Sequence, residues 1–124
     1  MLRPLVLAIV LLSSGAACGA RQATAGPRDR SVITAEQIEE GGFRNAYEAV
    51  ETLRRTWLIE RPDGLTIQRQ IQVYLDNSRL GGVEMLRQIS VAQIESLRYI
   101  DGATAMNRWG VDHSLGVIMV VSRR

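Results

Sequence analysis

Histidine and cysteine are the side chains most often used for acid–base, nucleophilic and metal chemistry, and the sequence contains one of each, His113 and Cys18. Asp112 beside His113 does not complete a set of metal ligands. No serine stands in the Gly-x-Ser-x-Gly turn that presents many catalytic serines. We therefore predict that His113 is a solvated loop residue, that no residue is catalytic, and that the chain uses no metal or cofactor.

The acidic and glycine-rich segments also lack a recognisable catalytic or phosphate-binding pattern. The adjacent Glu39 and Glu40 would point to different sides of a helix, which does not suit a catalytic carboxylate pair. Gly81-Gly82 is not followed by the lysine and hydroxyl residue of a phosphate-binding loop. The 15 basic residues, all arginine, are interleaved with 13 acidic residues, and the net charge is only +2. This balance argues against a nucleic-acid-binding surface.

The first 20 residues are typical of an export signal. Arg3 precedes an unbroken apolar run, Leu5–Leu12, and small residues follow the run. Cys18 comes directly after Gly-Ala-Ala, as at a bacterial lipoprotein cleavage site, so we predict that Cys18 is lipidated. The alternative is an ordinary signal peptide that is cleaved after Ala17 or Ala20.

The remainder divides into a linker and one domain. Residues 21–30 are small and polar, contain Gly-Pro, and have no apolar periodicity, so they predict a flexible linker. We assign residues 31–124 to a single folded domain. With one cysteine, the chain has no internal disulfide.

The pattern up to residue 57 predicts a short strand and two helices. The strand is Ser31–Thr34, and Thr34 forms a capping box with Gln37 at the start of the first helix. Gly41-Gly42 ends that helix. A second capping box, Asn45 with Glu48, begins a helix whose apolar residues recur on one face: Ala46, Val50, Leu53 and Trp57. This spacing predicts that Trp57 packs in the core.

The central segment predicts a long strand or hairpin and then a short helix. Apolar and polar residues alternate from Leu65 to Leu75, which favours one buried and one solvated face. Asp76-Asn77 follows as a turn, and Asn77 tolerates the left-handed backbone conformation. Residues 83–89 predict a short helix with Leu86 and Ile89 facing inward.

Residues 94–124 predict, in order, a strand, a turn, a short helix that closes at Trp109-Gly110, a loop and a final strand. All residues from Val117 to Val121 are apolar, which favours a central strand with both faces covered. We predict an α+β fold: a small mixed sheet of about four strands packed with short helices.

This C-terminal pattern resembles the end of the plug domain of TonB-dependent outer-membrane receptors. That family has a strand of the type Ile-Glu-x-Ile-Glu-Val-x-x-Gly, a small-residue helix that closes at an aromatic-Gly pair, and a Gly-Val-Ile strand. The matching residues are Ile94, Glu95, Leu97, Tyr99, Gly102, Ala103, Ala105, Trp109, Gly110, Gly116, Val117, Ile118, Ser122 and Arg123. Val73–Asp76 and the segment Val32–Glu40 also resemble the family. Leu115 and Asn77 stand where the family usually has glycine.

The resemblance covers residues 31–124 and implies a plug-like domain without the β-barrel that follows the plug in receptors. We therefore expect a non-catalytic module, lipid-anchored to the periplasmic face of the outer membrane, that contacts a protein partner. An association with TonB-dependent transport follows from the resemblance alone. We expect the contacts in the loops Asn77–Gly82 and Gly110–Leu115. The alternatives are a small-ligand-binding periplasmic protein and a receptor fragment.

Overall fold

A computed structural model describes residues 29–60 and 69–124 of the chain. The strands are β1 (Val32–Thr34), β2 (Gln72–Leu75), β3 (Ser78–Gly81), β4 (Ile94–Ile100) and β5 (Val117–Ser122). The α-helices are α1 (Ala35–Gly41), α2 (Ala46–Leu53) and α3 (Gly102–Trp109). Short 3-10 helices lie at Arg55–Leu58, Val83–Gln88, Val91–Gln93 and Val111–His113.

The strands form one mixed sheet in the order β1-β4-β5-β2-β3. β2 and β5 run parallel, and the other neighbouring pairs are antiparallel. β5 therefore occupies the middle of the sheet, as its continuous apolar sequence predicts. The α+β class is confirmed.

The sheet has five strands rather than about four, because β3 lies where the sequence predicts a loop. A two-residue turn at Asp76-Asn77 folds β3 back onto β2. The left-handed residue of this turn is Asp76, with φ 53°, and not Asn77 as predicted. The sequence of β3, Ser-Arg-Leu-Gly, has no β-branched residue, so strand propensity gives no signal for it.

The helix boundaries follow their capping residues closely. Thr34 accepts a hydrogen bond from the Gln37 backbone N–H, and the Gln37 side chain accepts one from the Thr34 N–H, which is the predicted capping box. Gly42 ends α1 in the left-handed conformation. Asn45 caps α2 as predicted, but the Glu48 carboxylate accepts from the Arg44 N–H instead of completing the box with Asn45.

The second helix is shorter than its apolar periodicity predicts. α2 ends at Leu53, and a 3-10 turn carries the chain to Trp57. Trp57 is nevertheless buried in the core and stacks on Tyr99 with ring centroids 5.6 Å apart. Its predicted core position is thus confirmed, since a 3-10 turn still brings it under α2.

Of the long strand or hairpin predicted over residues 65–75, the described part forms a strand, β2, only from Gln72. Leu65 and Ile67 lie outside the described residues. Ile71 is buried ahead of the strand, and its N–H donates to the Glu60 carboxylate at 3.1 Å. Leu86 and Ile89 face inward as predicted, although their helix has 3-10 geometry.

The two faces of the sheet are covered unequally. The first face, which carries Ile33, Leu97, Ile118 and Val120, packs against α1, α2 and the 3-10 helices in the main core. On the second face, α3 covers only one end, where Ala105 and Trp109 pack on Tyr74, Val117 and Ile100. Met119 and Val121, also on the second face, are half-buried. The prediction that β5 is covered on both faces is therefore met at Val117 and only in part at Met119 and Val121.

The proposed signal peptide, residues 1–20, lies outside the described residues, as do Cys18 and most of the linker 21–30. Asp29 and Arg30 are described and hydrogen-bond to the domain: the Asp29 carbonyl accepts from Val32 N–H, and the Arg30 carbonyl accepts from Arg54 Nε. In the part of the chain that the structure describes, every helix is too short or too polar to cross a bilayer.

Candidate functional site

Three aromatic side chains meet where α3 and the following loop cover the second face of the sheet. Tyr74 comes from β2, Trp109 from the end of α3, and His113 from the 3-10 turn after it. The Tyr74 ring stacks on Trp109 at 5.1 Å, and His113 lies 5.9 Å from Tyr74 and 5.7 Å from Trp109. These residues form the aromatic cluster.

His113 is not the solvated residue that its polar neighbours in sequence predict, because only 3% of its surface is exposed. A 2.9 Å hydrogen bond joins His113 Nε2 to the Tyr74 hydroxyl. Nδ1 is buried and has no hydrogen-bond partner among the described residues. The imidazole therefore packs as part of the core, tied to β2 across 39 residues of sequence.

Glycines allow the loops around the cluster to approach the sheet. Gly110 and Gly116 have positive φ angles of 105° and 102°. A Cβ at Gly116 would lie 2.6 Å from the Tyr99 hydroxyl, and a Cβ at Gly102 would overlap the Ser114 carbonyl. The loop is thus held against both α3 and β4. This close packing, rather than the local sequence, buries His113.

The half of the second face that α3 leaves open is the candidate contact surface. The strand register places Val32, Arg98, Met119, Tyr74 and Arg79 in one row across the sheet. The neighbouring row contains Thr34, Ser96 and Val121. We call the half-buried and exposed members of these rows the open half of the second face: Val32, Thr34, Ser96, Arg98, Met119, Val121 and Arg79.

The open half combines apolar residues with two arginines. Met119 lies between exposed Arg98 on β4 and buried Tyr74 on β2, and exposed Arg79 on β3 lies beyond Tyr74 in the same row. Arg79 Nε donates to the Gln72 side chain at 3.1 Å, and neither arginine has a salt-bridge partner within the described residues. Asp29 lies at the edge nearest Arg98, and hydrogen bonds from Ser31 are the main reason that its pKa is lowered, with Arg98 contributing less.

Two exposed aspartates accept hydrogen bonds, one at the start of α3 and the other at the end of β5. Asp101 accepts from the N–H and the hydroxyl of Thr104 at the start of α3, and these bonds lower its pKa below the ordinary value of 3.8. Asp76 accepts from the hydroxyl and N–H of Ser122 at the end of β5, which lowers its pKa in the same way. Both carboxylates therefore serve as ionised structural acceptors.

Within residues 29–60 and 69–124, no group of three or more His, Cys, Asp and Glu side chains could hold a metal ion. Glu39 and Glu40 are both exposed on α1, and Glu39 pairs with Arg123. A cleft of about 660 Å³ lies between β1, α1 and α2, lined by residues that include Asp29, Glu40 and Leu53. The cleft has mixed polar and apolar walls.

The two loops predicted to carry contacts contain regular structure. In Asn77–Gly82, four of the six residues form β3. In Gly110–Leu115, the 3-10 turn buries His113 while Val111 remains 70% exposed. Sequence reasoning missed the open half of the second face because β5 reads as uniformly apolar. Exposed Arg98 in β4 is the local signal that one face is solvated.

No protein-family model, no curated protein and no solved structure matches this chain.

Proposed function

We propose that this protein is a non-catalytic interaction module, lipid-anchored through Cys18 at the periplasmic face of the outer membrane, that binds a protein partner. The observation that supports contact is the open half of the second face. Half-buried Met119 and Val121 lie at the centre of the sheet, where apolar strand faces are normally covered by a second layer. A partner that covers them would complete the layer that α3 begins.

The resemblance to receptor plug domains supports the location and the link to TonB-dependent transport. The strand, small-residue helix, glycine and strand of residues 94–122 occur in the order that the resemblance requires. The anchor rests on the Gly-Ala-Ala-Cys sequence that ends at Cys18. Two or more acyl chains would be needed for stable attachment.

The test is capture of the C-terminally tagged full-length protein from membranes of its own cell. Mass spectrometry of the captured chain should show an acylated N-terminus at Cys18, and one outer-membrane or periplasmic protein should co-purify in near-stoichiometric amount. A Cys18→Ser variant should lose acylation and shift to the soluble fraction. An unmodified N-terminus at Gly19 or Arg21 would refute the anchor, and a chain that purifies alone from crosslinked membranes would refute the interaction module.

A periplasmic small-ligand-binding protein is the second candidate, and the cleft between β1, α1 and α2 favours it. Its volume of about 660 Å³ is in the usual range for small-molecule sites. The carboxylates of Asp29 and Glu40 would select neutral or basic ligands. A concentration-dependent rise in melting temperature with such a compound, abolished by Leu53→Arg in the cleft wall, would support this candidate.

A further inference from the structure

The chain enters the domain at one end of the sheet, where β1, β5 and β2 begin and β4 ends. We call this the entry end. The Ser31 carbonyl accepts a hydrogen bond from the Tyr99 N–H at 2.8 Å, so β1 begins beside the end of β4. At the same end, Val117 at the start of β5 pairs with Ile100 on one side and with Gln72 on the other. The residues that precede β1 are therefore joined to the domain at the entry end.

The entry end also carries two exposed apolar side chains. Ile59 and Val111 are the most exposed large apolar residues of the described chain, at 57% and 70%. Ile59 lines a small pocket with Tyr99 and Ser114. The Val111 carbonyl accepts from the Ser114 N–H at 3.3 Å, and the Ser114 carbonyl lies against Gly102 just after the end of β4. Both apolar side chains therefore lie near Ser114, on connections between elements.

The length of chain before Asp29 limits where a lipid anchor at Cys18 can lie. Ten residues separate Cys18 from Asp29, and a chain of this length spans at most about 40 Å even when fully extended. A domain of this size is roughly 30 Å across. The opposite end, at the Asp76-Asn77 turn after β2, would reach the membrane only with these residues stretched along the whole domain. An anchor at Cys18 therefore brings the entry end to the membrane first.

From these observations we infer that the entry end contacts the lipid surface through Ile59 and Val111, which enter the interfacial layer of the membrane. Two apolar side chains bind a bilayer weakly by themselves. The anchor holds them beside the surface, so that their contact becomes an intramolecular event at high effective concentration. This inference rests on the proposed function, because it requires the lipid anchor at Cys18.

The exposed charges at the entry end are of both signs. Arg30 is exposed where the chain enters, and so are Asp29 beside it and Asp101 after β4. A balanced set of charges has little net attraction for anionic headgroups. The contact is therefore apolar, and a lipid surface without net charge should serve as well as an anionic one.

This placement also orients the open half of the second face. Ile100 and Val117, at the entry end of that face, are covered by α3. Met119 and Val121 follow farther along the sheet, away from the entry end. With the entry end on the membrane, the open half is held away from the lipid, where a partner can reach it.

The test measures lipid contact in the acylated full-length protein, purified from membranes and placed in vesicles of phosphatidylethanolamine and phosphatidylglycerol. An NBD fluorophore is attached to the new cysteine of Thr56→Cys or of Asn77→Cys. Thr56 is exposed beside the Ile59 pocket, and Asn77 is exposed at the opposite end. We expect doxyl-labelled lipid to quench the fluorophore at position 56 several-fold more than at position 77. Equal quenching at the two positions would overturn the inference.

A double variant, Ile59→Ser with Val111→Ser, tests the two side chains themselves. It should lower the quenching at position 56 to the level at position 77, because the apolar contact is removed. Both residues are exposed, so circular-dichroism melts should match those of the parent. Quenching that survives the double variant would refute the contact through these residues.

Two further outcomes separate this inference from the proposed function and from attraction by charge. Vesicles of phosphatidylcholine alone should give the same quenching at position 56, and quenching that needs the anionic lipid would refute the apolar contact. A chain that is acylated at Cys18 but shows no excess quenching at position 56 would refute the inference and leave the proposed anchor standing. A chain that is not acylated would refute both.

Discussion

The hydrogen bond between Tyr74 and His113 joins two residues that lie 39 positions apart in the sequence. The imidazole is buried, and its Nδ1 has no partner among the described residues. The bond to Tyr74 is therefore the one polar contact of this side chain that the structure shows. Buried polar groups that lose their last partner are costly.

We therefore expect Tyr74→Phe to lower the free energy of unfolding by about 1–3 kcal/mol, because it leaves both ring nitrogens of His113 without a partner. Tyr47→Phe is the matched control. Tyr47 lies against Arg87 through its ring, and its hydroxyl has no hydrogen bond in the described structure, so a change within about 0.5 kcal/mol is expected. Chemical denaturation of both variants measures the difference.

A double-mutant cycle with His113→Ala separates this bond from packing. His113→Ala alone should lower the free energy of unfolding by about 2–4 kcal/mol, because it leaves a cavity and removes the hydrogen-bond partner of the Tyr74 hydroxyl. If the bond stabilises the fold, the double variant should be less destabilised than the sum of the single variants. Strict additivity, or a silent His113→Ala, would contradict the role that we assign to the bond.

The two faces of β5 are buried to different extents. Val120 is fully buried on the first face, and its neighbour Val121 is half-buried on the second. The two valines belong to the same strand and have the same backbone propensity. If the same substitution destabilises the protein more at one of these positions than at the other, the reason is that the two faces are buried to different extents.

We expect Val120→Ala to reduce the free energy of unfolding by about 2 kcal/mol, since it opens a cavity in the main core. Val121→Ala should reduce it by less than about 1 kcal/mol, because solvent already reaches that side chain. Val120→Asp would bury an unpaired carboxylate at a cost of several kcal/mol, comparable with the whole stability of a small domain. Thermal melts of purified variants measure these values, and a cooperatively folded Val120→Asp protein would contradict the central position of β5.

Across the whole molecule, exposed aspartates accept hydrogen bonds both within and between elements. Asp76 bridges the turn after β2 to Ser122, 46 residues later, and Asp101 caps α3. The pKa of each carboxyl is lowered by these hydrogen bonds from its ordinary value of 3.8. A lowered folded-state pKa means that the ionised form favours folding. This contribution is present above the unfolded-state pKa and is lost as the pH falls through the folded-state value.

We therefore predict that the melting temperature is steady from neutral pH down to about pH 5 and falls below about pH 4. The combined variant Asp76→Asn and Asp101→Asn should melt lower at neutral pH and should show a shallower decline in acid. Differential scanning calorimetry across this range measures both effects. An unchanged acid decline in the variant would show that other carboxylates, such as Asp29 or Glu36 with their own lowered pKa values, dominate.

The local features of this protein can be predicted from its sequence, because each depends on residues within a few positions. Thr34 with Gln37, Asn45, Asp101 and Gly42 define where helices begin and end, and the apolar run of β5 specifies a central strand. The α+β class follows from those elements.

The surroundings of each element depend on tertiary contacts. β3 exists because a turn at Asp76 places it against β2, and His113 is buried because Gly102 and Gly116 let its loop approach α3 and β4. Met119 and Val121 are only half-buried because α3 is too short to cover the whole second face. These outcomes depend on contacts between residues far apart in the chain, and such contacts leave no periodic signal in a single sequence.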